Sequence, residues 1–75
     1  MPLSSKQTRI YEFIKRYAQS NGVTPTISEI GRQFQMSSPA SVHQVIGILE
    51  REGLVTKVPN VSRGIRLVEQ PVNPS

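Results

Sequence analysis

The sequence predicts a mainly α fold with a small β-hairpin at its C-terminal end. Two observations carry that expectation. Three stretches place apolar residues at helical spacing: Ile10, Phe13, Ile14 and Tyr17, then Ile27, Ile30 and Phe34, then Val42, Val45, Ile46 and Leu49. After them the pattern changes to two short strand-like runs, Leu54 to Val58 and Ile65 to Val68, around a loop of turn residues from Pro59 to Gly64. With 75 residues and no cysteine, the chain is one small domain that must hold together by packing, without a disulfide or a thiolate-bound metal.

Each element has local justification. Ser4 or Ser5 caps the first helix, and Asn21-Gly22 stops it because both residues tolerate positive φ. Tyr11 is the one aromatic of this helix off the apolar stripe and is expected to stand free. Pro25 biases Thr24 towards extended angles. Thr26-Ile27-Ser28-Glu29 then matches a capping box, in which hydroxyl and carboxylate satisfy each other's backbone amides. The second helix ends near Phe34 or Gln35. Gly31 inside it costs about 1 kcal/mol relative to Ala, which predicts close approach of another helix there. Met36-Ser37-Ser38 turns the chain, Ser38 caps the third helix, and Pro39 occupies its first position, where a missing N–H is no loss. Gly53 closes that helix. The domain is expected over residues 1–68, with 69–75 as a flexible tail or linker, given Pro71 and Pro74.

Charge is unevenly placed. Nine Lys and Arg oppose five Asp and Glu, a net +4. Lys6, Arg9, Lys15 and Arg16 load the first helix, and Lys57, Arg63 and Arg66 load the hairpin. Between these zones, the front of the third helix offers Ala40, Ser41, His43 and Gln44, all uncharged or nearly so. A basic excess suits a polyanion, although it also serves plain solubility. One histidine and no cysteine make neither a metal site nor a nucleophile–base pair, so the chain is read as no enzyme, with no cofactor, metal or small-molecule substrate. No apolar run approaches membrane-spanning length and no signal-peptide core is present, so a cytoplasmic location is expected.

Helix, helix, tight turn, helix and hairpin, in that order, make a three-helix winged helix-turn-helix. Such a fold places its last helix in the DNA major groove. A helix passing between two phosphate rails needs hydrogen-bonding side chains at its tip and cations to either side. Gln44 can bond adenine N6 and N7, Ser41 either purine, His43 guanine, and Ala40 can contact the thymine methyl. Arg63 at the hairpin tip, with Lys57 and Arg66 behind it, would reach phosphate or minor groove. If about four cations in all each neutralise a phosphate, log K falls against log salt with a slope of about −3.6. Each residue taken alone also reads as ordinary surface; the ordered combination favours double-stranded DNA. Single-strand RNA binding is less well served, since only Tyr11 is expected to be free for stacking. A protein-interaction winged helix is the alternative, to be marked by an exposed apolar patch around Ile48 and Val61.

The segments GVTPTISEIG, the Ser-Pro opening the third helix, and SRGIRL are specific in combination. Over about Leu3 to Val68 the chain resembles the N-terminal DNA-binding domain of LexA repressors, without the self-cleaving C-terminal peptidase domain of that family. The resemblance implies operator binding and transcriptional repression in a bacterial-type cytoplasm, on the nucleoid, as a homodimer on DNA or on paired half-sites. It puts the base-reading positions on Ser38, Ala40, Ser41, His43 and Gln44. Ser38 keeps the family residue, whereas the others stand where the best-known pattern has asparagine, alanine and two glutamates. The familiar operator sequence is therefore not implied. Backbone contacts are expected from Thr26, Ser28, Arg32, Lys57, Arg63 and Arg66, with Arg32 equally able to pair with Glu29 one turn earlier.

Overall fold

The computed structural model describes residues 3–61 and 63–68. In chain order they form α1 (Ser5–Asn21), α2 (Ile27–Gln33), α3 (Pro39–Arg51), β1 (Val55–Lys57) and β2 (Ile65–Leu67). This is the winged helix-turn-helix that the apolar stripes predict. The tail expected at 69–75 lies outside the described residues.

Ser4 is the N-cap of α1 and forms a capping box with Gln7. The Ser4 hydroxyl accepts from the Gln7 amide at 3.2 Å, and the Gln7 side chain accepts from the Ser4 amide at 2.9 Å. Gly22 ends the helix at φ 74°, donating to the Ala18 carbonyl. The expected box on α2 is present with both bonds: Thr26 Oγ1 accepts from the Glu29 amide at 3.1 Å, and Glu29 Oε1 from the Thr26 amide at 2.9 Å.

The two helices of the helix-turn-helix end in the same way. After α3, the Gly53 amide donates to the Glu50 carbonyl and the Leu54 amide to the Leu49 carbonyl, with Gly53 at φ 79°. After α2, the Gln35 amide donates to the Arg32 carbonyl and the Met36 amide to the Gly31 carbonyl. Both are Schellman endings. In the second, the left-handed position is held by Gln35 at φ 55°, not by glycine. That is why sequence alone gave no sign of it: nothing in Phe34-Gln35-Met36 advertises a left-handed residue.

Ile10, Ile14, Ile30, Val42, Val45, Ile46, Leu49, Val55 and Ile65 form the buried core, so every element contributes. Removing this much apolar surface from water is the main favourable term in so small a fold. Gly31 has the expected reason. A Cβ there would lie 3.5 Å from the Val42 side chain and 3.3 Å from the Met36 carbonyl, so α3 crosses at close range. Phe13 packs edge-on against Phe34 at 5.6 Å between centroids and tilts against Tyr17 at 5.7 Å, which locks α1 to the end of α2. The expectation of a free Tyr11 is corrected. Its ring is half-buried against the core, and the Lys15 ammonium sits 5.1 Å from its centroid.

The hairpin pairs Val55 with Leu67, Thr56 with Arg66, and Lys57 with Ile65. The strands are shorter than the sequence suggests. Pairing nevertheless runs on at both ends, through the Val58 amide to the Gly64 carbonyl at 2.8 Å and the Val68 amide to the Leu54 carbonyl at 3.0 Å. Thr24 secures the wing from the other side, its hydroxyl donating to the Ile65 carbonyl.

Candidate nucleic-acid interface

Helix α3 has two opposite stripes. Val42, Val45, Ile46 and Leu49 face the core. Ala40, His43, Gln44 and Gly47, at i, i+3, i+4 and i+7, are all exposed. No charge appears on the helix before Glu50. Ser38 stands at the front, accepting from the Ala40 amide at 3.2 Å, and Ser41 is exposed beside the outward stripe. The five expected base readers thus lie together on the exposed front of one helix.

Gly47 has no neighbour within 4 Å of the place a Cβ would take. Exposed glycine within a helix costs backbone entropy, so Gly47→Ala is expected to stabilise the domain by about 1 kcal/mol. The melting temperature then rises by roughly 4–8 °C in a thermal scan.

The residues expected to hold the DNA backbone divide into two groups. Thr26, Ser28, His43 and Lys57 line one open cleft of about 710 Å³ between α2, α3 and the wing. Ser28 and Arg32 line a neighbouring cleft with Pro39 at the start of α3. Arg63 and Arg66 lie elsewhere. They share a depression with Ala18, Gly22 and Val23 near the end of α1. Strand alternation explains Arg66: Ile65 points to the core, so Arg66 and its partner Thr56 point to the opposite face of the hairpin. Lys57 lies on the α3 side, its Nζ 2.9 Å from His43 Nδ1.

Arg63 is not a free cation. Its Nη1 and Nη2 donate to Glu29 Oε1 at 2.8 Å and Oε2 at 2.9 Å, and Nη1 also donates to the Thr24 carbonyl at 2.9 Å. The side chains are 39% and 29% exposed, so this is a surface clamp of fork geometry, and the pair carries no net charge. It is the one ion pair among the described residues, and it takes the carboxylate that Arg32 would have used. The carboxylate that caps α2 therefore also holds the wing.

The Arg63 hydrogen bonds, and after them the Thr26 amide, draw the Glu29 carboxyl from its ordinary 4.5 down to about 2. The Glu29 carboxylate first, and after it Tyr17, push the Arg63 guanidinium further up. Because the folded value of Glu29 lies below the unfolded one, its contribution to stability is complete above pH 4.5 and is lost as pH falls towards 2. Glu29→Gln is expected to lower the denaturation midpoint at neutral pH and to flatten its fall across that acid window. Coincident pH curves for the two proteins would show that the clamp does not contribute to folding.

Val61, on the wing, is 55% exposed and Val23, at the α1–α2 turn, 46%, while Ile48 is half-buried. Among the described residues, no three His, Cys, Asp or Glu side chains come together as a metal site. No helix there is long and apolar enough to cross a membrane.

Comparison with known proteins agrees with this geometry. The chain is 40% identical to the LexA repressor of Methylococcus capsulatus, over 97% of its own length and 36% of the repressor. It is 38% identical to the LexA repressors of Petrotoga mobilis, over 88% of the chain and 32% of that protein, and of Thermosipho melanesiensis, over 91% and 34%. The chain thus spans about a third of the length of these relatives. The model of the LexA DNA binding domain matches residues 1–64, so the helices, the turn between α2 and α3 and most of the wing are all accounted for together: the chain belongs to the LexA DNA binding domain family.

Proposed function

We propose that the chain binds duplex DNA with sequence preference, as the DNA-binding part of a transcriptional repressor. One observation carries the reading: the exposed stripe of α3 is polar, small and uncharged, directly opposite the stripe that fixes the helix in the core. Such a face can enter a major groove without repelling or being trapped by phosphate, and its side chains can bond to base edges. Ser38, Ala40, Ser41, His43 and Gln44 are the base readers in this reading. Thr26, Ser28 and Arg32 contact the phosphates on the α2 side.

Arg63 serves differently from the sequence expectation. Three of its five N–H donors are spent on Glu29 and Thr24. It acts by holding the wing, and as half of a neutral pair it adds little to counterion release. Arg66, on the far face of the hairpin, reaches phosphate only if the duplex wraps past the wing.

One recognition helix covers few base pairs, so two copies on paired half-sites provide the working affinity. In this reading the protein works in a bacterial cytoplasm, on the nucleoid. Selection of bound sites from random duplex DNA tests the proposal. A short enriched motif, repeated at a spacing near a whole number of helical turns, is expected. A pool that stays random after repeated rounds would overturn it.

A further inference from the structure

His43 and Lys57 meet across the gap between α3 and β1, and the chemistry of the pair fixes which way His43 can read. A lysine ammonium has three donors and no acceptor. With Nζ 2.9 Å from His43 Nδ1, a hydrogen bond between the two makes that nitrogen the acceptor, which requires the ring proton on Nε2. The partners come from elements 14 residues apart in sequence, and both are exposed. They share the cleft with Thr26, Ser28 and Glu50, the last of which is the carboxylate lining it.

We infer that Lys57 is a positioning residue that holds His43 in the Nε2–H form, so that His43 presents a donor and selects a base edge bearing an acceptor. Guanine O6 and N7, adenine N7 and thymine O4 fit; the N4 amino group of cytosine does not. The inference rests on the proposal that the front of α3 reads bases, and it changes the part expected of Lys57. That residue acts through His43 on specificity, beyond any pull on phosphate. Without the lock, an imidazole can exchange which nitrogen carries the proton, and donor and acceptor edges would be discriminated less well.

His43 is the chain's single histidine, so its ring can be read without ambiguity. Long-range proton–nitrogen correlation spectra of the 15N-labelled free protein, taken at about pH 8.5, where an ordinary imidazole is neutral, report the tautomer directly. The expected spectrum has Nδ1 as the unprotonated, downfield nitrogen. In Lys57→Met the two nitrogen shifts are expected to move towards each other as the second tautomer becomes populated. Identical spectra for the two proteins, or a proton on Nδ1 in the natural one, would overturn the inference whether or not the protein binds DNA.

Binding supplies the second arm. On duplexes from site selection, varied at each position in turn, Lys57→Met is expected to lose about two- to tenfold of the discrimination at one base pair. It keeps its preference at the others. Equal weakening on every duplex, with unchanged nitrogen shifts, would make Lys57 a phosphate contact and refute the lock. If no duplex binds the natural protein at all, the DNA reading falls, while the spectra still decide the tautomer.

Discussion

Gly64→Ala is expected to open the wing and to lower the stability of the domain by about 1–3 kcal/mol. A Cβ at this position would run into the carbonyl oxygens of Val58 and Val61. Both are backbone atoms, which cannot rotate away as a side chain would. Gly64 is also buried, and its own carbonyl takes the Val58 amide at 2.8 Å. To admit the methyl group, the loop must separate, and that bond is lost. Lys57 lies next to Val58 and Arg63 next to Gly64, so the His43 contact and the Glu29 clamp are both disturbed. Urea denaturation reads the stability. The Gly47→Ala variant, which adds the same methyl group to open space, is the control and shifts the midpoint the other way. An unchanged midpoint for Gly64→Ala would mean that the loop is looser than its geometry implies.

Gln44→Ala is expected to do the reverse: leave folding intact and change what is bound. The side chain is exposed, and Ala is the better helix former, so stability does not fall. Gln44 lies on the outward stripe one residue from His43, where its amide can both accept from N6 and donate to N7 of adenine. Loss of such a bidentate contact costs about 1–3 kcal/mol of discrimination at a single base pair. Competition among duplexes substituted one pair at a time reveals it. The variant should bind the four possibilities at that position nearly equally and retain its preferences elsewhere. Equal weakening on all duplexes would take Gln44 off the list of readers.

What the sequence reveals follows how far apart the interacting groups are. The three helices are legible because their causes are local: an apolar stripe, a cap before it and a stop after it. Thr26 with Glu29, and Ser38 with Pro39, lie within one turn of each other, and the structure has them as read. Gly31 is legible because a helix tolerates glycine there only for a reason, and the reason is crowding by the Met36 carbonyl and by Val42 of α3. The Ser4–Gln7 box was equally local and recoverable from the serine–glutamine spacing. Gln35 was not, since a left-handed glutamine carries no compositional signal.

The wing was harder. Glu29 and Arg63 stand 34 residues apart, and no periodicity connects them. Read locally, Arg63 is a loop cation and Glu29 a helix cap; only the folded chain shows one carboxylate doing both tasks. The direction in which Arg66 faces is hidden for a related reason. Strand alternation gives two faces, and which of them looks towards α3 depends on Val55 and Ile65 entering the core. The exposed front of α3 was legible because its opposite face is so strongly apolar.

Whether the front of α3 meets DNA is tested most directly by titrating the 15N-labelled protein with the duplex recovered by site selection, following every backbone amide. The largest shifts are expected on Ser38 to Gln44, with a second group at Thr26 to Ser28 and at Lys57. The basic surface of α1, with Lys6, Arg9, Lys15 and Arg16, should stay nearly unmoved. Shifts concentrated on α1, with the front of α3 unaffected, would contradict it.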